Sequence, residues 1–380
     1  MKARFPKLLL LALMMGATVL LWSPLKSHSQ SKTFAPTMEW RPTQAAADAK
    51  YLGNQSCTEC HTQGDTQHSS PMGKALEPVA DCQILRDHPR LTFQSGIYKF
   101  SIVRQGQQSL YTVTDGKETI AVPILYAFGQ GKAGQTYVLE YQGRYYESRV
   151  SFYNELKGLD YTLGAPPKPA GSLIEAFGRA MDSLDTKDCF SCHATAAVSD
   201  GKLQLSKLTP GITCEGCHGA GDKHVALMRD KTAKKAGDKA IFNPGRFDTE
   251  GMTQFCGSCH RTWAQVQLMK VQGVLNVRFQ PYRIFGSKCY DFDDKRISCT
   301  ACHNPHDAMT QPMTHYEAKC AACHSNTKAT GQGKVYAPCK TGKTTNCVAC
   351  HMPQYDLPGS HHKFTDHQIR IVRTGEAYPN

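Results

Sequence analysis

Two cysteines three positions apart, followed directly by a histidine, recur seven times along this chain. The sets are Cys57, Cys60 and His61; Cys189, Cys192 and His193; Cys214, Cys217 and His218; Cys256, Cys259 and His260; Cys299, Cys302 and His303; Cys320, Cys323 and His324; and Cys347, Cys350 and His351. With this composition chance would give the pattern roughly 0.03 times per chain. Fourteen of the 17 cysteines are used up in this way. The spacing has a chemical reason. Two thiols at that separation add to the two vinyl groups of one haem, and the adjacent imidazole reaches the iron from one side. Zinc is the plain alternative for Cys and His in pairs, but it does not need a histidine directly after every cysteine pair. The expected cofactors are therefore seven covalently bound c haems, with iron (metal) ligands His61, His193, His218, His260, His303, His324 and His351.

The first cysteines of successive motifs are 132, 25, 42, 43, 21 and 27 residues apart, so six motifs crowd into the last 192 of 380 residues. At about 32 residues per haem such a segment buries too little surface to build an aliphatic core of its own. The haems must supply much of it and must touch one another. The expected fold is that of a multihaem cytochrome c: mainly short α-helices and irregular loops wrapped around a haem core, with an antiparallel β insertion. The expected divisions are a signal peptide over 1–29, an N-terminal segment with the first haem over 30–91, the β insertion over 92–163, and a haem-packed domain over 164–380. Composition agrees. Seventeen Cys, 16 His, only 3 Trp and a mean hydropathy of −0.44 exclude a polytopic membrane protein, an ordinary cytosolic enzyme and a fibre.

Lys2, Arg4 and Lys7 precede a charge-free stretch from Leu8 to Trp22 and then a polar Ser27-His28-Ser29-Gln30. Fifteen residues are short for a bilayer span, which takes about 20, and fit a secretory leader cut after Ser29; an uncleaved anchor is the alternative. No twin arginine is present and no lipid-anchor cysteine follows. The implied location is the periplasm or cell surface, with no integral membrane span after cleavage. Removing the leader takes the formal charge from +12 to +8. A basic balance of that size would suggest nucleic acid, but each haem brings about −1 when oxidised and about −2 when reduced. Nucleic acid is therefore not an expected partner. Redox partner proteins or quinone-linked donors are, and an oligomer or cytochrome complex is compatible with them.

Residues 92–163 lack cysteine and read as strands. Tyr98 to Arg104 alternates, Ser109 to Thr114 leads through Asp115-Gly116 into Glu118 to Val122, and Gln135 to Tyr141 joins Arg144 to Ser151 through Gln142-Gly143. Ala165 to Pro169 reads as a linker, and Ser172 to Leu184 as a helix feeding the second motif. The lysine-rich run from Ala226 to Lys239 reads as a solvated helix face.

Function then turns on the sixth position of each iron, where a second His makes a low-spin carrier and a vacancy admits substrate. Eight histidines lie outside the motifs and the leader: His68, His88, His224, His306, His315, His361, His362 and His367. The candidates for the second ligand are His68, His88, His224, His306, His362 and His367. His315 and His361 are weaker, since neighbours 361 and 362 would not both face iron, and Met72 is a rival near the first motif. Cys82, Cys289 and Cys339 remain, an odd number that permits one disulfide and one free thiol, or a thiolate ligand to iron.

The strings "GITCEGCHGAGDKHV" at 211–225, "NPGRF" at 243–247 before "CGSCH", "SCTACHNPHD" at 298–307, "NCVACHMP" at 346–353 and "FTDHQI" at 364–369 carry a family likeness. So does "YAFGQGKAGQTYVLEYQGRYYESRVSFY" at 126–153. Over roughly 51–373 the chain resembles the exported multihaem cytochromes c with doubled CxxCH motifs, related to the cytochrome c-554 and octahaem oxidoreductase group. The resemblance implies that His224, His306 and His367 act as distal ligands, and it implies electron transfer more firmly than any reaction. The tetratricopeptide repeats that members often carry after the last haem are not expected in the few residues beyond "FTDHQI". The lysine-ligated motif of pentahaem nitrite reductases and the eighth haem of hydroxylamine-oxidising relatives are also missing.

The expected function is that of a periplasmic or cell-surface heptahaem c-type cytochrome passing electrons along closely spaced haems in respiration. The alternative is a multihaem oxidoreductase acting on a small nitrogen or sulfur compound at one five-coordinate haem. A third reading is a subunit of a cytochrome filament. A carrier is favoured over a catalyst, and no catalytic residue is assigned.

Overall fold

The protein is described from a computed structural model. It describes residues 50–199, 201–230, 239–292, 296–307, 312–324, 339, 342, 345–373 and 375–379. The leader expected over 1–29 and the centre of the lysine-rich run, 231–238, lie outside the described residues. The chain divides into a unit over 1–35 and a unit over 36–380, and every described residue belongs to the second.

After two short helices, α1 (Gln55–Thr58) and α2 (Gly64–Gln67), the chain enters a large antiparallel sheet. Its strands are β1 (Leu76–Pro78), β2 (Arg90–Ser95), β3 (Tyr98–Gln105), β4 (Gln108–Thr114), β5 (Thr119–Phe128), β6 (Thr136–Tyr141) and β7 (Arg144–Ser148). A distant strand, β10 (Gly178–Ala180), completes it after the β8 (Val150–Tyr153) and β9 (Gly158–Tyr161) hairpin. The order is β10-β7-β6-β5-β4-β3-β2, with β1 on β5. Tight turns set the register. Asp115 Oδ1 accepts from the amides of Lys117 and Glu118 beside Gly116 at φ +93°. Gln142 and Gly143, at φ +52° and +71°, join β6 to β7 as a two-residue connection with both φ positive requires.

This sheet corrects the expected fold class. Strands make up 25% of the chain, so the molecule is not a helix-dominated wrap around haem. The reason is that β1 and β10, from outside the expected insertion, join the sheet, and alternation along β3 and β4 buries a full aromatic and aliphatic core on one face. Phe177 lies at its centre, fully buried against the rings of Tyr111, Tyr141 and Tyr146, and its carbonyl accepts from the Tyr111 hydroxyl at 3.1 Å. Residues 76–180 thus stabilise themselves by apolar burial, which the count of residues per haem left out.

The helix expected over 172–184 is broken in two. Helix α4 (Leu173–Phe177), capped by Ser172, stops at Gly178, where a Cβ would collide with the Glu147 carbonyl of β7. After β10 a new helix, α5 (Ser183–His193), starts on Asp182, whose carboxylate accepts from the amides of Leu184 and Asp185. A second apolar cluster, with Leu76, Phe128, Val138, Met181 and Phe190, packs α5 onto the sheet. The sheet thereby fixes the helix that delivers the second motif. Beyond two small two-stranded sheets over 194–210, the rest of the described chain is mainly short helices: α6 (Cys214–His218), α7 (Asp222–Arg229), and those over Thr249–His260, Trp263–Leu268, Gln280–Phe285, Cys299–Cys302, Met313–His324 and Cys347–His351. A hairpin of Gln354–Leu357 with His362–Thr365 follows.

Candidate functional site

Each motif occupies a helical turn or the end of a helix. In that geometry residues i and i+3 share a face and residue i+4 lies beside them, so two thiols and one imidazole point the same way. Motifs two, four and six close the helices over 183–193, 249–260 and 313–324. Motifs three and seven are one-turn helices, the fifth opens at Cys299 with His303 as its cap, and in the first the His61 amide bonds to the Cys57 carbonyl.

Backbone carbonyls orient several of these imidazoles. His193 Nδ1 donates to Ala75 O at 2.9 Å, His218 Nδ1 to Phe242 O at 2.9 Å, and His351 Nδ1 to Arg370 O at 2.8 Å. Outside the motifs, His68 Nδ1 donates to Gly64 O and His367 Nδ1 to Thr365 O, each at 2.9 Å. A carbonyl can only accept, so Nδ1 carries the proton and Nε2 keeps its lone pair, the arrangement common to metal-bound histidines. Burial pushes the imidazoles of His193, His218 and His303 below the usual range, and that of His367 down to about 4. They are neutral at physiological pH.

Three motif histidines face a histidine from elsewhere in the chain. The ring centroids of His61 and His224 are 6.3 Å apart, those of His218 and His306 6.2 Å, and those of His303 and His367 6.2 Å. Two imidazoles on opposite sides of one metal, each nitrogen about 2.0 Å from it and about 1.1 Å from its ring centre, would have centroids about 6.2 Å apart. The spacing fits an iron between the rings and is too wide for direct stacking. Among the described residues no group of three or more His, Cys, Asp or Glu forms a metal cluster.

The motifs also touch one another, though not in chain order. The thiols of Cys57 and Cys214 are within hydrogen-bonding reach, as are Cys192 with Cys259 and Cys256 with Cys299. Cys217 lies near Cys256, and Cys320 near both Cys302 and Cys347. Polar clamps hold these junctions. Between motifs one and three, the buried Glu215 carboxylate accepts from the amides of Leu52, Gly53 and Gly221, and Asn54 Oδ1 accepts from Cys214 N. Between motifs two and four, Arg261 donates to both oxygens of Asp188 at 2.6 and 3.3 Å. Between six and seven, Cys347 N donates to Glu317 Oε1. Gly211, at φ +73°, lies so close to the Gly73 carbonyl that no Cβ fits, which brings Ala75 and Met72 alongside the second and third motifs.

The other candidates lie apart from these pairs. His88 caps helix α3 (Gln83–Asp87) and packs on Phe152 in the sheet core, with centroids 4.7 Å apart. His361 Nε2 bonds to Asp160 Oδ2 at 2.8 Å, and His362 begins the last strand beside Phe364. His315 lies next to Tyr316, which also meets His303. Cys82 is buried with its thiol at Gln135, Cys289 lies near Cys302 and Cys323, and Cys339 is at the surface. The clamps at Glu215 and Arg261 were missed by the sequence reading; nothing local distinguishes either residue from a solvated charge.

Residues 172–219, which hold motifs two and three, match the family model described as "Cytochrome c554 and c-prime". A curated relative, "Multiheme cytochrome MtrA" of Shewanella baltica (strain OS185), is 26% identical over 210 residues, covering 51% of this chain and 54% of the relative. The match thus spans about half the relative's length. No solved structure matches. Among the described residues no helix is long and apolar enough to cross a membrane.

Proposed function

We propose that this chain, a multihaem cytochrome c, carries electrons outside the cytoplasm along seven haems, bound at the seven CxxCH sites and fixed by the polar clamps between them. The observation that carries this reading is the set of three imidazole pairs at 6.2 to 6.3 Å. In it the iron sites of motifs one, three and five take His61 with His224, His218 with His306, and His303 with His367. His68, with its Nδ1 already engaged, is the next candidate ligand; His88 and His361 serve the β domain. The bound haem supplies the one-electron chemistry. The chain supplies the rest: the Nδ1 bonds hold each ring in one orientation, burial keeps the imidazoles neutral, and the clamps keep neighbouring sites together.

The motif contacts further support a spatial order of one, three, four, five, six and seven, with motif two joined to four. Redox proteins as donor and acceptor, and a periplasmic or cell-surface location, complete the reading, the latter from the leader-like residues 1–29.

Carbon monoxide titration of the dithionite-reduced protein, followed optically, is the test, because only an iron with an open sixth position binds the gas. His306→Ala is expected to add one CO-binding haem equivalent over the parent protein. An unchanged titre in a fully haemylated variant would remove His306 from the ligand set. A CO-reactive haem in the parent would mark a site open to small molecules.

A further inference from the structure

Among the described residues Arg278 is a cation without an anion. It lies between Val277, fully buried, and Phe279, 7% exposed, and its guanidinium carbon sits 4.9 Å from the centre of the Phe279 ring. Its Nε is out of solvent and has no hydrogen-bond partner. Burial and, among the described residues, the cation Arg261 both disfavour its charge. A half-buried guanidinium whose Nε is shut off from solvent without a partner is unfavourable unless something pairs with it. The surroundings indicate what that is. Arg261 directly follows His260 of the fourth motif, and its fork is taken up by Asp188, the residue before Cys189 of the second. The thiols of Cys192 and Cys259 meet at the same junction. Arg278 thus lies within electrostatic reach of Arg261 beside the place where two CxxCH motifs join, and of the two only Arg261 has a carboxylate among the described residues.

We propose that Arg278 binds a carboxylate group at this junction, a propionate of the haem held by Cys256, Cys259 and His260 or of its neighbour at Cys189, Cys192 and His193. The assignment rests on the haem reading above. A guanidinium presents a planar fork that fits a carboxylate in a bidentate pair. A cation beside a haem favours the reduced form, which carries one more negative charge, and so raises that site's potential. A soluble small oxyanion would offer the same fork the same chemistry, and the test separates the two sources.

The measurement is an optically and EPR-monitored redox titration of full-length wild type, Arg278→Gln and Arg278→Lys, with haem content fixed beforehand by pyridine haemochrome. In Arg278→Gln one midpoint is expected to fall while the other six stay in place. Arg278→Lys, which keeps the charge but not the fork, is expected to lower the same midpoint by less. Added formate or nitrite is expected to leave the wild-type curve unchanged. Coincident titrations of wild type and Arg278→Gln, with seven haems in each, would overturn the assignment while leaving the electron-transfer reading intact. If Arg278→Gln fails to accumulate, an Arg278→Lys titration identical to wild type overturns it equally. A saturable shift of one wild-type midpoint with formate or nitrite, lost in either variant, would show that the fork takes a soluble anion. A wild-type chain without haem would overturn both readings together.

Discussion

Asp366→Ala is expected to destabilise the folded protein by about 3–5 kcal/mol, the cost of removing one partner from a buried ion pair. The Asp366 side chain is fully buried and faces two arginines: Arg283, 2% exposed, at 2.9 Å, and Arg370, 10% exposed, at 2.7 Å. Burial alone would raise its carboxyl, but hydrogen bonds from Arg283, the Gln368 amide and Arg370 more than reverse this and hold it below the usual carboxylate range. Removing it leaves the buried Arg283 without a carboxylate and Arg370 with Glu376 alone, at 3.1 Å. The damage is expected to reach the proposed iron sites, because the same knot holds His367 and His351, two of the proposed ligands. His367 is the next residue, with its carbonyl bound by Ser287, and the Arg370 carbonyl holds His351 Nδ1. Urea unfolding followed by circular dichroism would give the stability. Low-spin EPR signals would report the ligands, with changes expected at the third imidazole pair and the seventh motif. A loss below about 1 kcal/mol, the scale of an exposed pair, would mean the knot is not structural.

The second large effect concerns connectivity. Cys214→Ser combined with Cys217→Ser is expected to leave six haems and to cut the first motif off from the rest, because Cys57 and the Glu215 clamp join motif one to motif three. In stopped-flow reoxidation one haem equivalent in six should lag behind the others. Cys189→Ser with Cys192→Ser also removes one haem, but motif two is a branch on motif four, and the remaining six should reoxidise together. The opposite pattern would contradict the spatial order. Chain order alone makes the second motif, not the third, the neighbour of the first.

The contrast between chain order and spatial order shows what could and could not be read from residues. The CxxCH spacing is a local chemical requirement and was legible in full as a pattern. The turns at Asp115-Gly116 and Gln142-Gly143 were legible for the same reason, since positive φ restricts the residue types within two or three positions. The sheet's full extent was not, because Leu76–Pro78 and Gly178–Ala180 are too short to alternate visibly and join through pairing with strands far along the chain. The helix break at Gly178 follows from contact with Glu147, again a distant residue. His224, His306 and His367 were singled out by family likeness, while their partners, His61, His218 and His303, emerged only from geometry. His88, an equal candidate by composition, lies against Phe152, a contact that no local pattern announces.

The electron-carrier reading rests on seven haems joined through fourteen cysteines. The most direct test is the intact mass of the purified protein, denatured to strip anything held without a bond, beside a pyridine haemochrome assay of the same sample. The expected mass is that of the polypeptide plus seven haems, with haemochrome at seven per chain and no zinc. A mass equal to the bare polypeptide, or zinc in place of haem iron, would contradict the account at its root.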